Sequence, residues 1–215
     1  MIRNQHQSFI PSKALLNDLE IWSHFMTKWN RREIIRSCEY RRLSQLGVYT
    51  DASGTGSGGV NLSTGSWFAY TWSAGEQSLD ICERELIACL QAAEIWGHMW
   101  AHKTVVIETD NMTVVQSSKK RRAKSSDGLS SFYRYLFALE LKHKCRIVFK
   151  HIPGSRNCLA DTLSRGRLAE FRTLWPQAGE TGEIAPTLVL DDTHESCLQI
   201  LRQDVVEDDR WTNSK

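Results

Sequence analysis

The stretch Val105-Val106-Ile107-Glu108-Thr109-Asp110-Asn111 decides the fold class. Its first three residues form a continuous apolar run between polar neighbours, which is typical of a strand that is buried on both faces. A carboxylate then follows at Asp110, where this strand should end. The stretch therefore predicts a central strand of a sheet that is covered by helices, with an acidic side chain at its end.

The residues upstream predict three short strands and then a long helix. Strand-like runs at 46–50, 59–62 and 67–72 are separated by turns rich in glycine, serine and threonine, which is typical of an antiparallel meander. Asp80 and Glu83 have the spacing of a capping box. Behind them, apolar residues recur at helical spacing: Cys82, Leu86, Cys89, Ala93, Trp96 and Trp100.

The residues downstream predict a short helix from Asn111, an amphipathic helix over about 132–141 and a fifth strand at 146–151. A last helix is expected to begin near Arg156. Because a strand–helix–strand unit joins parallel strands, the order of these elements predicts an α/β fold. We expect a five-stranded mixed sheet, with three antiparallel strands and then two parallel ones, flanked by helices.

Charge and composition divide the chain into three parts. Residues 1–45 are expected to contain an amphipathic helix at 12–29, capped by Ser12, and a basic connector through Arg41 and Arg42. Residues 46–168 form the predicted α/β domain. Residues 169–215 carry ten Asp and Glu against four Lys and Arg, and we expect a flexible acidic tail with one short helix near 196–206.

The overall composition is that of a soluble globular protein of 215 residues with a formal net charge of +2. No run of about eighteen apolar residues is present, so neither a membrane span nor a membrane partner is expected. The six cysteines are scattered without a C-x-x-C pair, which favours reduced thiols. These features predict an intracellular protein, cytoplasmic or nuclear.

Four acidic residues lie where predicted elements begin or end: Asp51, Glu85, Asp110 and Asp161. If the strands that carry Asp51 and precede Asp110 are neighbours, both carboxylates lie in one crevice at the edge of the sheet. Glu85 and Asp161 would then close the ring. Carboxylates this close repel one another unless cations are present. Two Mg²⁺ ions roughly 3.5–4 Å apart can activate water and stabilise the leaving oxygen of a phosphodiester, so the pattern indicates a nuclease.

Together, four motifs resemble the ribonuclease H domain of retroelement reverse transcriptases, over residues 46–166. The resemblance is strongest to tyrosine-recombinase (DIRS-type) elements and to long-terminal-repeat elements. The motifs are Thr50-Asp51-Ala52-Ser53, Glu85-Leu86-Ile87-Ala88, Thr109-Asp110-Asn111, and His151-Ile152-Pro153-Gly154 with Asn157 and Leu159-Ala160-Asp161-Thr162-Leu163-Ser164-Arg165.

The resemblance implies a two-metal endonuclease that cuts the RNA strand of an RNA–DNA hybrid, leaves 5′-phosphates and uses two Mg²⁺ or Mn²⁺ ions. Asp51 would bridge both metals, and Asp161 would hold the metal that activates water. Glu85 and Asp110 would hold the metal that faces the leaving group. His151 would assist proton transfer or product release. A polymerase domain, in cis or in trans, is the implied protein partner.

Further candidates for nucleic-acid contact are polar and basic. Ser53 and Asn111 adjoin the proposed ligands and are predicted to touch a ribose 2′-hydroxyl or a phosphate. A basic run between two predicted helices indicates a phosphate grip, a nuclear import signal or only a solvated loop; it comprises Lys119, Lys120, Arg121, Arg122 and Lys124. Glu83 and Glu108 neighbour the proposed ligands, but helix and strand phase turn them away.

Two other functions remain open from the sequence. The first is a non-catalytic, hybrid-binding scaffold with the same fold, which the intact carboxylate set argues against. The second is a nuclease or integrase of the same superfold that acts on DNA. The spacing between His151 and Asp161 and the order of elements after Asp110 favour ribonuclease H over that alternative.

Overall fold

The structure, a computed structural model, describes residues 10–28, 41–120, 127–188 and 190–203. A sheet of five strands has the order β3-β2-β1-β4-β5. The first three strands pair antiparallel, and β1–β4 and β4–β5 pair parallel. The predicted mixed α/β sheet is confirmed. The strands are β1 (Arg41–Ala52), β2 (Gly56–Asn61), β3 (Ser66–Thr71), β4 (Lys103–Thr109) and β5 (Arg146–His151).

Helices lie on both faces of the sheet. The predicted capping box is present at the start of the helix that begins at Ile81, where the Asp80 carboxylate accepts from the Cys82 amide at 2.8 Å and Glu83 accepts from the Asp80 amide at 3.1 Å. The helices are α1 (Lys13–Lys28), α2 (Ala74–Gln77), α3 (Ile81–Trp96), α4 (Met112–Lys120), α5 (Asp127–Lys142), α6 (Cys158–Ser164), α7 (Leu168–Leu174) and α8 (Leu190–Gln203).

Strand β4 has the position that its apolar run predicts. It pairs with β1 on one side and β5 on the other, and Val105, Val106 and Ile107 are buried. Strand β1 begins earlier than predicted, because Arg41 and Arg42 pair with the start of β4 instead of forming a connector. That pairing uses backbone groups and is interrupted by a register shift between Leu43 and Val48, so side-chain composition did not indicate it.

Two apolar layers enclose the sheet. The larger one packs α3 and α5 against β1, β4 and β5. The smaller one joins Val60, Trp67 and Leu163 to α7. A Cβ atom at Gly58 would lie 2.5 Å from the Leu163 Cβ. Glycine at this position therefore lets α6 lie directly on β2, which brings the last predicted acidic residue towards the sheet.

The described part of the C-terminal segment packs against the domain, which corrects the expectation of a flexible tail from residue 169. Phe171 of α7 is fully buried and Trp175 is nearly so. The Phe171 ring lies 5.2 Å from the Trp67 ring and 5.9 Å from the Trp175 ring, centroid to centroid. Arg172 places its guanidinium 5.0 Å from the Trp67 ring centroid, so α7 is bound to strand β3.

The chain then runs along the edge strand β3 and reaches the other face of the sheet. The Glu183 amide donates to the Trp67 carbonyl at 2.7 Å, and Gln91 of α3 donates to the Pro186 carbonyl at 2.9 Å. Helix α8 follows and packs on α5, with Cys197 and other apolar residues buried. The segment covers an edge strand that would otherwise present unpaired backbone groups.

Sequence composition did not indicate this packing because much of it uses backbone carbonyls and isolated aromatic residues. Arg172, a charged residue, fixes the turn by donating to the carbonyls of Ala178, Gly179 and Glu180. Such contacts leave no periodic apolar pattern. The helix expected near 196–206 overlaps α8, and residues 204–215 of the expected tail lie outside the described residues.

Helix α1 was predicted and is present, but its apolar stripe is not its packed face. Leu19, Trp22 and Met26 are each more than half exposed. The attached face includes Ile21, which packs on the larger apolar layer, and Asp18, which pairs with Arg134 of α5. The Ser12 hydroxyl accepts from the Leu15 amide at 3.3 Å, consistent with its predicted role as the cap.

The sequence favoured reduced cysteines and predicted no membrane span. All five cysteines in these ranges are free. None of the helices in these ranges is both long enough and apolar enough to cross a membrane.

The packing of α7 leads to a stability prediction. Phe171→Ala should reduce the free energy of unfolding by about 3–5 kcal/mol, because it empties a fully buried aromatic site. Leu174→Ala on the same helix should cost much less, because Leu174 is 48% exposed. Urea denaturation followed by circular dichroism measures both. Equal, small losses for the two variants would show that α7 is not part of the folded domain.

Candidate metal centre

Three carboxylates from three different elements meet at one edge of the sheet. Asp51 is near the end of β1, Glu85 is in the second turn of α3, and Asp110 directly follows β4. Each has a carboxylate oxygen within 4.8 Å of those of the other two. We call these residues the carboxylate cluster.

The parallel pairing of β1 and β4 produces this convergence. Tyr49 is the register partner of Glu108. Because the strands are parallel, Asp51 and Asp110, each two positions further along the chain, lie at the same edge of the sheet. That these two strands are neighbours was a condition of the predicted convergence, and the structure meets it. Helix α3 packs across β1 and brings Glu85 to the same place.

Burial and the charges of neighbouring carboxylates raise the pKa values of Asp51 and Glu85. Asp51 and Glu85 are each only 5% exposed. The pKa of Glu85 is raised to about 9, first by burial and then by the charges of Asp51 and Asp110. The pKa of Asp51 is raised to about 6, mainly by burial, while a hydrogen bond from Ser164 acts in the opposite direction. The cluster therefore has a strong tendency to take up positive charge.

Hydroxyl and amide groups orient these carboxylates. Ser164 of α6 donates to Asp51 Oδ2 at 2.5 Å, and Thr109 of β4 donates to Glu85 Oε2 at 3.2 Å. Asn157 donates through Nδ2 to the Thr50 carbonyl at 2.9 Å, which ties the start of α6 to β1. Sequence reasoning quoted these three residues within motifs but gave none of them a role. Their closeness in sequence to the acidic residues was the available signal.

The donor set suits a hard divalent cation. All three cluster side chains offer oxygen, and Mg²⁺ and Mn²⁺ prefer oxygen ligands. Two of the three are buried and carry raised pKa values, as expected of carboxylates that are held away from water and close to one another. The carboxylate cluster could therefore hold a metal ion.

Asp161, the fourth predicted ligand, does not belong to this cluster. Its carboxylate pairs with Arg165 at 2.7 Å and with Arg167 at 2.5 Å. It still lies near enough for its charge to raise the pKa of Asp51. Its role as a ligand stays a prediction, and neither arginine was identified as its partner from the sequence.

His151 lies at the same edge of the sheet. It is the last residue of β5 and the register partner of Thr109, which immediately precedes Asp110. The loop that follows lies against the cluster, since a Cβ atom on Gly154 would be 3.0 Å from Asp110 Oδ2. The proposed part of His151 in proton transfer or product release stays a prediction.

The two acidic neighbours that were set aside have other partners. Glu83 belongs to the capping box of α3. Glu108 pairs with Lys150 of β5 at 3.0 Å. Neither side chain belongs to the carboxylate cluster, and the expectation that they make no contact with metal stays a prediction.

The described residues include only some of the predicted nucleic-acid contacts. The Ser53 hydroxyl donates to the Ser164 carbonyl at 2.7 Å, and Asn111 Oδ1 accepts from the Val114 amide at 3.1 Å at the start of α4. Both side chains thus have structural partners, and their contact with nucleic acid stays a prediction. Lys119 is exposed. The Lys120 side chain and Arg121, Arg122 and Lys124 lie outside the described residues.

Comparison with known proteins assigns the domain. Residues 43–136 match the family model of the RNase H-like domain found in reverse transcriptase. The chain contains an RNase H-like domain. The matched residues include Asp51, Glu85 and Asp110, and they lie almost entirely within the predicted range 46–168.

Two solved structures are similar to part of this chain. One is the crystal structure of LC11-RNase H1 in complex with RNA/DNA hybrid, at 22% identity and a TM-score of 0.44 over 54% of this chain and 91% of that chain. The other is LC11-RNase H1 isolated from compost by a metagenomic approach, at 18% identity and a TM-score of 0.43 over 57% and 94%. Comparison with curated proteins finds no match.

The raised pKa of Glu85 predicts a stability that falls as pH rises. An unfolded glutamate loses its proton near pH 4.5, whereas folded Glu85 keeps it to about pH 9. The folded state therefore binds more protons across this window, and stability is lost towards pH 9. Without divalent cations, the wild type should lose on the order of 3 kcal/mol between pH 5 and pH 8.

Glu85→Gln should flatten this pH dependence and make the cation-free protein more stable than the wild type at pH 8. Urea denaturation in EDTA at the two pH values measures the effect. Glu108→Gln is the matched control, because Glu108 is ion-paired outside the cluster, and it should keep the wild-type slope. Parallel wild-type and Glu85→Gln curves would contradict the account of burial.

Proposed function

We propose that this chain is a divalent-cation-dependent ribonuclease H, which hydrolyses the RNA strand of RNA–DNA hybrids and leaves 5′-phosphates. The observation that supports it most is the carboxylate cluster of Asp51, Glu85 and Asp110 inside an RNase H-like domain. Three buried or half-buried carboxylates cost folding free energy. A function that uses their charge accounts for their presence.

The cations are proposed to be two Mg²⁺ or Mn²⁺ ions. Such a pair supplies activation of water and stabilisation of the departing 3′ oxygen. Asp51, Glu85 and Asp110 would hold them, with Asp161 as a fourth ligand. His151, at the same edge of the sheet, would exchange a proton with solvent or assist release of the product.

The protein's own contacts would keep the ligands oriented. Ser164 and Asn157 fix Asp51 between β1 and α6, and Thr109 fixes Glu85 between β4 and α3. Arg84 donates to the Ser53 carbonyl at 3.1 Å and so holds the loop after β1 beside the cluster. A site held by such contacts needs little rearrangement when substrate binds.

The substrate class follows from the family match and from the motif resemblance. The matched model describes a domain found in reverse transcriptase, whose product is a hybrid of RNA and DNA. We therefore propose an RNA–DNA hybrid as the nucleic-acid partner, a polymerase domain in cis or in trans as the protein partner, and a retroelement as the origin. Ser53, Asn111 and the basic run from Lys119 are the proposed nucleic-acid contacts.

Asp110→Asn should reduce cleavage of an end-labelled RNA–DNA hybrid by about 10²-fold or more in Mg²⁺ or Mn²⁺, because it removes a ligand charge while keeping the side-chain shape. Glu108→Gln, two residues earlier, should cut at nearly the wild-type rate, because Glu108 pairs with Lys150 outside the cluster. Gel analysis of the labelled products measures both rates.

Duplex RNA and duplex DNA serve as substrate controls in the same assay. Wild-type protein that binds the hybrid without cutting it would favour the scaffold function. Preferential cutting of duplex DNA would favour a DNA nuclease of the same fold. Equal cleavage by the wild type and Asp110→Asn would show that the carboxylate cluster takes no part in catalysis.

A further inference from the structure

Asp161 is held by two arginines outside the carboxylate cluster. Arg165 Nε donates to Asp161 Oδ1 at 2.7 Å, and Arg167 Nη2 donates to Asp161 Oδ2 at 2.5 Å. Each oxygen of this carboxylate therefore already has a cationic partner. No other carboxylate near the site, among the described residues, is paired in this way.

The backbone after α6 creates this arrangement. Gly166 adopts a φ of +69°, in the left-handed region that favours glycine. Its amide donates to the Leu163 carbonyl at 3.0 Å, and the Arg167 amide donates to the Thr162 carbonyl at 2.8 Å, which is the Schellman pattern of a helix end. The reversal brings Arg167 back to Asp161, while Arg165 reaches Asp161 across one helical turn.

Asp161 on helix α6 lies close enough to the carboxylate cluster to interact with it electrostatically. The Ser164 hydroxyl ties the helix to Asp51. The charge of Asp161 raises the pKa of Asp51, and the charge of Arg165 lowers it. Arg165 therefore acts on the same local field as the cluster.

The ion pairs are of a kind that another cation can replace. The side chains of Arg165 and Arg167 are 56% and 44% exposed, and that of Asp161 is 30% exposed. Solvent screening makes such pairs weak. Arg167 also has a second carboxylate, Glu170 at 2.9 Å, with which it can stay paired after it releases Asp161.

We propose that Arg165 and Arg167 are positioning residues that compete with the divalent cation for Asp161. This inference rests on the proposed function, because it takes Asp161 as a ligand of the metal centre. In the cation-free protein the arginines hold the carboxylate away from the cluster. When the cation binds, the carboxylate transfers to it from the guanidinium groups, so the arginines lower the affinity for cations.

Calorimetric titration of Mn²⁺ onto the EDTA-treated and dialysed full chain, without nucleic acid, tests this proposal. Arg165→Gln with Arg167→Gln should bind Mn²⁺ about threefold to tenfold more tightly than the wild type, because both competing ion pairs are gone. A matched control is Lys13→Gln with Arg146→Gln. It removes the same charge from two exposed positions, and Arg146 lies at the opposite end of β5 from the cluster.

Removing positive charge near a cation site could also raise affinity through the field alone. A double-mutant cycle separates the two causes. In an Asp161→Asn background the two arginine substitutions should produce no further gain, because the carboxylate over which they compete is gone. Arg165→Lys with Arg167→Lys keeps the charge but loses the planar fork, and it should give an affinity between the wild type and the glutamine variant.

An unchanged affinity in the glutamine variant, an equal gain in the Asp161→Asn background, or the absence of Mn²⁺ binding to both wild type and variant would each overturn the proposal. Circular dichroism checks that every variant is folded. The titration is independent of cleavage. Competition without hybrid cleavage would therefore contradict the ribonuclease H assignment alone, and cleavage without competition would contradict the arginine proposal alone.

Discussion

Repulsion among Asp51, Glu85 and Asp110 is the constraint on which the rest of the site depends. Their carboxylate oxygens lie within 4.8 Å of one another, and Asp51 and Glu85 are buried. Such an arrangement persists only because stronger interactions impose it. The parallel register of β1 with β4 and the packing of α3 across β1 supply them. The domain thus spends part of its folding free energy to hold negative charge at one edge of the sheet.

Several devices reduce that cost while no cation is bound. The proton on Glu85 removes one charge over a wide pH range, since the pKa of this group is raised to about 9. Hydroxyl groups of Ser164 and Thr109 donate to the two buried carboxylates. In our proposal Arg165 and Arg167 hold the fourth carboxylate, Asp161, outside the cluster. All of these interactions are reversible, so a cation that binds to the carboxylates can replace them.

Much of the fold was predictable because local patterns in the sequence indicate its helices and strands. The apolar run at Val105–Ile107 predicted a buried strand, and Asp80 and Glu83 predicted the start of α3. Acidic residues at element ends predicted that four carboxylates meet, and the structure brings three of them together. The rest depends on contacts that have no local pattern. Packing of the C-terminal segment uses Arg172 on backbone carbonyls, and the pairing of Asp161 with Arg167 depends on the reversal at Gly166. Neither spacing nor composition encodes these contacts.

The most direct test of the central claim, that the carboxylate cluster is a cation site, is an anomalous difference map from crystals of the full chain grown with Mn²⁺. Our account predicts a peak in contact with oxygens of Asp51, Glu85 and Asp110, and its loss in crystals of Glu85→Gln grown at the same Mn²⁺ concentration. Wild-type crystals with no anomalous peak at the cluster, at a concentration that saturates binding in solution, would contradict it.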